Sequence, residues 1–205
     1  MKKLVGVVAL VVCSGSALAD IDKEPPNEHQ PAKTSAAALA NGVEECVKAI
    51  NNPDMDGWEA SKFCGCMFDW ERTSVKDNSK KLIALQFDAT KQQKELQTCL
   101  AFAAKTVKED KPPTDTPYSK TLDLPTEAVL FPYLGCTLQL EDQKVPEQDR
   151  ILFCGCTTDA MRAQSTAKLA KVRKARGEEL YRFIPPDKML ACGKAHDMLK
   201  YSQKK

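Results

Sequence analysis

Phe63-Cys64-Gly65-Cys66 returns ninety residues later as Phe153-Cys154-Gly155-Cys156. Around this tetrapeptide the chain aligns with itself without a gap. Cys46 falls on Cys136, Asp69 on Asp159 and Arg72 on Arg162, so that seven of 27 positions are identical and three of them are cysteines. A fourth cysteine closes each copy, Cys99 33 residues after Cys66 and Cys192 36 residues after Cys156. The shared pattern is Cys-x17-Cys-Gly-Cys-x32/35-Cys. Recurrence of a tetrapeptide with flanking cysteines at matched distance reads as a tandem duplication. Two copies are too few for a solenoid, so a pair of domains or one pseudo-symmetric bundle is expected.

The ends supply the compartment. Lys2 and Lys3 precede a short apolar run, residues 4–13, and Ala17-Leu18-Ala19 is a small-residue cleavage site. Residues 1–19 therefore read as a signal peptide, too short in its apolar part to span a bilayer, which needs about 20 residues. Leu10-Val11-Val12-Cys13 resembles a lipoprotein box, but Val12 stands where a small residue is normal. The short basic start is of the bacterial kind. The expected location is periplasmic or secreted, with cleavage after Ala19 and no transmembrane anchor afterwards. Loss of Lys2 and Lys3 takes 30 Lys+Arg to 28, matching the 28 Asp+Glu. A chain without net charge has no global field to draw it onto nucleic acid, and no nucleic-acid partner is expected. Cleavage also removes Cys13 and leaves eight cysteines of the original nine, an even number that suits disulfides in an oxidising compartment.

The fold class expected is all-α, with a three-helix module made twice. Leu39, Val43, Cys46 and Ile50 lie on one helical face, with Thr34 or Ser35 as cap. Asn51-Asn52-Pro53 ends that helix. A second helix starts near Trp58 and places Phe63, Cys66, Met67 and Trp70 at helical spacing. A weaker segment covers 81–87, and a last helix carries Leu96, Cys99, Leu100, Ala103 and Val107. In the second copy Thr126 is a candidate cap for a helix through Leu130, Leu134, Cys136 and Leu140, with a kink expected at Pro132. Ile151, Cys154, Ala160 and Met161 mark the next helix. Pro185-Pro186-Asp187 opens the final one, with Met189, Cys192 and Met198. The organisation is then a signal (1–19), a flexible arm (20–34), helical module 1 (35–107), an exposed proline-rich linker (108–118) and helical module 2 (119–205).

Residues two apart on a helix point about 200° apart. The two cysteines of each Cys-Gly-Cys therefore address different neighbours, one reaching the first helix and the other the last. Which goes where is open, since four cysteines allow three pairings. Two such bridges per module close loops worth about 3–4 kcal/mol each in the chain-entropy model. For a module with few aromatics that is comparable to its whole stability.

Several residues are candidates for chemistry. Cys64/Cys66 and Cys154/Cys156 could form strained, exchange-active rings, and low-pKa thiols at a helix start would suit thiol–disulfide exchange. Two further cysteines per copy, Cys46 with Cys99 and Cys136 with Cys192, argue instead for four structural bridges. Four thiolates could hold copper(I), but the chain has two histidines and no Met-x-x-Met cluster. His196, four residues after Cys192, reads as a surface histidine. No cofactor and no metal ligand set is expected. Asp69/Arg72 and Asp159/Arg162, at i and i+3, read as exposed helix pairs worth a few tenths of a kcal/mol. Trp58 and Trp70 read as part of the first core or its cap. Arg162, Lys168, Lys171, Arg173, Lys174 and Arg176 form a run without acids, interleaved with Leu169, Val172 and Ala175, and could meet an anionic envelope component or an acidic protein. No nucleophile elbow, phosphate loop or zinc-protease motif is present, so no catalytic residue is named. The leading expectation is a non-catalytic binding protein of the cell envelope. Thiol–disulfide exchange and soft-metal sequestration are the alternatives.

Overall fold

The computed structural model describes residues 34–50, 54–74, 92–108, 115–175 and 177–202. The expected signal, nearly all of the arm, the Asn51-Asn52-Pro53 stop, the segment 81–87, Arg176 and the middle of the linker lie outside these. Every regular element among the described residues is helical. They are α1 (Ala36–Ala49), α2 (Gly57–Ser74), α3 (Gln93–Lys108), a 3-10 turn (Ser119–Thr121), α4 (Thr126–Asp142), α5 (Glu147–Arg162), α6 (Thr166–Val172), a 3-10 segment (Gly177–Phe183), α7 (Pro186–Ala195) and α8 (Leu199–Ser202).

Local chemistry accounts for the helix starts. Ser35 caps α1, its Oγ accepting from the Ala38 N–H at 3.2 Å. Asp56 does the same for α2, with Glu59 N–H donating to its Oδ1 at 2.7 Å. Pro186 opens α7 at its first position, where a missing N–H costs nothing. Of the expected opening Pro185-Pro186-Asp187, Pro185 is the cap and Asp187 lies inside the first turn. Pro132 is fully buried inside α4, which continues through it from Thr126 to Asp142.

Four disulfides join the helices. Cys46–Cys64 ties α1 to α2 and Cys66–Cys99 ties α2 to α3. Cys136–Cys154 ties α4 to α5 and Cys156–Cys192 ties α5 to α7. In both halves the first cysteine of Cys-Gly-Cys reaches back and the second reaches forward, as opposite-facing positions on one helix require. The pairing left open by spacing is thereby resolved.

A continuous core runs through both halves. Leu39, Val43, Phe63 and Met67 belong to the same buried cluster as Leu124, Val129, Tyr133 and Met161. Helix α1 packs on α2, α4 and α5, and α2 also packs on α4. The end of the expected exposed linker is drawn into this packing: Thr116 is buried, its hydroxyl donating to Asp69 Oδ2 at 2.8 Å.

Candidate functional site

The eight cysteines are placed by the bridges above. Cys64, Cys66, Cys99 and Cys154 are fully buried. With every sulfur of each Cys-Gly-Cys bonded to a different helix, no 64–66 or 154–156 ring exists, and none of the eight is a thiol. Among the described residues no group of three or more His, Cys, Asp or Glu could hold a metal ion, and no helix is long and apolar enough to cross a membrane.

The recurring Asp and Arg residues are not exposed pairs. Asp69, on α2, is fully buried and accepts the Thr126 N–H at 2.7 Å and the Thr126 hydroxyl at 2.6 Å on Oδ1. Asp159, on α5, accepts the Ala36 N–H at 3.0 Å on Oδ1 and 3.2 Å on Oδ2. Each aspartate thus holds the first turn of the helix that opens the other half, where orphan N–H groups and the positive end of the helix dipole favour an anion. The arginines repeat the exchange. Arg72 Nη1 donates to the Leu124 carbonyl at 3.1 Å, and Arg162 Nη1 to the Thr34 carbonyl at 2.5 Å. Every one of these partner positions is matched ninety residues away.

Asp123 closes the cluster. It accepts from Arg72 Nη2 at 2.6 Å and from Arg162 Nε at 2.8 Å, standing between the two guanidinium groups. Burial pushes its carboxyl up, but Arg162 and Arg72 outweigh this and hold it below the ordinary aspartate range. Burial raises Asp69, with Arg72 and the Thr126 and Thr116 hydroxyls opposing. Burial and the nearby Arg162 charge lower Arg72. Burial would lower Arg162 as well, yet Asp123 and Asp159 hold it raised. Sequence reading missed Asp123, whose partners Arg72 and Arg162 lie 51 and 39 residues away along the chain. Its only signal is its place immediately before Leu124-Pro125-Thr126, the counterpart of Thr34-Ser35-Ala36.

The basic run is dispersed by the same packing. Arg162 is buried in the clamp rather than exposed beside the lysines, a correction that follows from its three acceptors. Arg173 turns to the inter-helix segment, donating to the Ser119 and Leu122 carbonyls at 3.0 and 2.6 Å and to Asp115. Leu169, Val172 and Ala175 are buried. Lys168, Lys171 and Lys174 remain exposed on and just after α6.

Apolar surface is left uncovered. A cleft of about 390 Å³ between the end of α4, α5, α7 and α8 is lined by Leu140, Phe153, Met189, Leu190, Met198 and Tyr201. On another face of α4, Phe131, Leu134 and Leu138 are 48%, 48% and 62% exposed. Leu134, expected in the buried stripe, belongs to this outer line. Trp58 is 55% exposed rather than in the core. Its ring lies 4.3 Å from Lys62 Nζ, and Lys62 in turn pairs with Glu127, one turn before Phe131. Trp70 packs partly buried against the core, as expected.

No family model, no curated protein and no solved structure matches the chain.

Proposed function

We propose that the chain is an exported, non-catalytic binding protein whose two halves are copies of one disulfide-stapled three-helix module. The observation that supports this reading is the internal use of the cysteines and of the recurring Asp and Arg residues. All eight cysteines after Cys13 are bridged between helices. The recurring carboxylates and guanidiniums bind each other and the opposing helix starts. What faces solvent instead is apolar surface on α4 and α7. Bridged cysteines fit an oxidising compartment, and with the signal-like start they favour the periplasm or the medium. The reciprocal contacts ninety residues apart support common descent of the halves. With Arg162 and Arg173 engaged internally, Lys168, Lys171 and Lys174 read as a solvated face.

Thiol chemistry decides between this reading and its rivals. Alkylation of the native processed protein followed by mass spectrometry should find no free thiol and bridges from each Cys-Gly-Cys to the flanking cysteines. Insulin reduction and copper(I) competition with a chelator should both be negative. A reducible 64–66 or 154–156 ring with reductase activity would overturn the proposal in favour of thiol–disulfide exchange.

A further inference from the structure

The contacts that join the two halves run both ways. Asp69 on α2 holds the start of α4, and Asp159 on α5 holds the start of α1. Arg72 donates to the Leu124 carbonyl and Arg162 to the Thr34 carbonyl. Leu39 of α1 and Val129 of α4, at matched positions, lie in one buried cluster. Each half thus offers the other a carboxylate, a guanidinium and a helix start. A surface of this kind is self-complementary, as the interface of a two-fold dimer is. Each half is also closed on itself. Among the described residues every disulfide stays within one half, Cys46–Cys64 and Cys66–Cys99 in the first, Cys136–Cys154 and Cys156–Cys192 in the second.

Charge decides which halves fit. Asp123 breaks the match between the halves, since Lys33 stands ninety residues earlier in the sequence. In the single chain Asp123 accepts from Arg72 Nη2 at 2.6 Å and from Arg162 Nε at 2.8 Å. Two first halves docked in this way would set Arg72 against Arg72 with no Asp123 between them. Two second halves would crowd two Asp123 and two Asp159 around two Arg162. Unpaired charge in a buried site is costly, so the surface accepts an unlike half and rejects a like one. A second copy of the chain supplies the unlike half twice over. We infer that the surface joining the halves is also a docking surface for a second copy: the first half of each molecule seats on the second half of the other, and the reciprocal pair closes the dimer. Every contact of the single chain is kept, with Arg72 of one copy binding Asp123 of the other. This rests on the two-copy reading of the halves and stands apart from the binding role.

The test uses the full processed chain with its bridges intact. A short linker sets an effective concentration of about a millimolar, so a second copy should compete when the chain refolds from urea at about 1 mM and not at about 1 μM. Light scattering should find a species of twice the chain mass after the first refolding and the single chain after the second. The closed single chain and the exchanged dimer hold the same contacts. Loss of Asp123 should therefore leave the balance between them unchanged and speed their interconversion. The Asp123→Ala dimer, diluted, should revert at least about tenfold faster than the parent dimer. Asp123→Asn, which keeps an acceptor, should fall between them. With a protease site engineered within 109–114, native mass spectrometry of the cut dimer should find pairs of one first and one second half. No dimer at the higher concentration, a reversion rate indifferent to Asp123, or pairs of like halves each overturn the inference. So does a dimer abolished by Phe131→Asn, Leu134→Glu and Leu138→Lys, which would be held by the outside of α4 instead. Failure here leaves the thiol results intact, so it is distinguishable from failure of the binding-protein reading.

Discussion

Asp69 and Asp159 stand in the same relation to opposite halves of the chain: each accepts the N–H of the first residue of the helix that opens the other half, Thr126 and Ala36 respectively. Their surroundings differ. Asp69 is fully buried and also receives two threonine hydroxyls, whereas the Asp159 side chain is 27% exposed. Replacing Asp69 by Ala leaves the Thr126 N–H and hydroxyl and the Thr116 hydroxyl without their acceptor in the interior, while Arg72 keeps Asp123, and should cost about 3 kcal/mol or more. Asp159→Ala loses a helix-end contact that water can replace and one of the three acceptors of Arg162, which keeps Asp123 and the Thr34 carbonyl, and should cost about 1–2 kcal/mol. Urea titrations followed by circular dichroism check the order, and equal losses at the two sites would refute the burial argument.

Asp123 should matter most for cohesion between the halves. It belongs to the second half yet binds Arg72 of the first at 2.6 Å. Among the described residues no disulfide crosses from one half to the other. A protease site placed within 109–114 and cut after folding should therefore give two fragments held only by packing and the clamp. Those fragments should co-elute in gel filtration at micromolar concentration. Asp123→Ala leaves two buried guanidiniums without their shared counter-ion, a loss of about 3 kcal/mol or more, and the cut fragments should then separate. Continued co-elution of the variant would show that the apolar contacts of α1 with α4 and α5 suffice without it.

The all-helical class and the use of the cysteines as bridges between helices were legible because helical periodicity and cysteine spacing report directly on direction, whereas among the described residues the second half holds five helices, α4 to α8, where three were expected. Cys64 and Cys66 had to diverge, and they do. Burial was less legible. The i, i+3 spacing of Asp69 and Arg72 is the same in an exposed pair as in a buried one, and only tertiary packing decides which. Trp58 and Leu134 fail for a related reason. Periodicity shows that a helix has an apolar face but not how much of that face a neighbour covers, and an apolar residue left at the surface looks identical to a core residue. The comparison that separates them is internal: the exposed Asn41, Glu44 and Lys48 against Phe131, Leu134 and Leu138 ninety residues later.

Glu71 carries a pH signature. It lies one turn beyond the fully buried Met67, at the position matched by Met161 in α5, and its Oε2 is buried with no hydrogen-bond partner. Burial raises its pKa from 4.5 to about 7. Below the lower value the carboxyl is protonated both folded and unfolded. Between the two values the folded chain keeps a proton that the unfolded chain releases, so stability falls as pH rises through this window and stays lower above it. Partial exposure moderates the effect to about 1 kcal/mol. Glu71→Gln should therefore gain about that much relative to the parent at pH 8 and nothing at about pH 4. An identical difference at both pH values would mean that Glu71 does not titrate with folding.

The glycine of Cys-Gly-Cys offers a last test of whether the motif serves geometry or chemistry. A Cβ on Gly65 would meet nothing within 4 Å, and on Gly155 only the Ala37 Cβ at 3.5 Å, an ordinary contact. Both lie inside helices, where Ala is favoured over Gly by about 0.8–1.0 kcal/mol. Gly65→Ala should then stabilise the protein by about 0.5–1 kcal/mol, with Cys46–Cys64 and Cys66–Cys99 unchanged. Gly42 has the opposite sign. Its Cβ would fall 2.4 Å from Cζ of Phe68, a buried ring with little room to move. Overpacking costs about 1–3 kcal/mol and outweighs the same helix gain, so Gly42→Ala should destabilise by about 1 kcal/mol. Thermal melts of the two variants, compared with the parent under oxidising conditions, read the signs directly. If Gly65→Ala were the damaging one, the motif would need its glycine for something other than the two bridges, and thiol–disulfide exchange at Cys64 and Cys66 would regain ground.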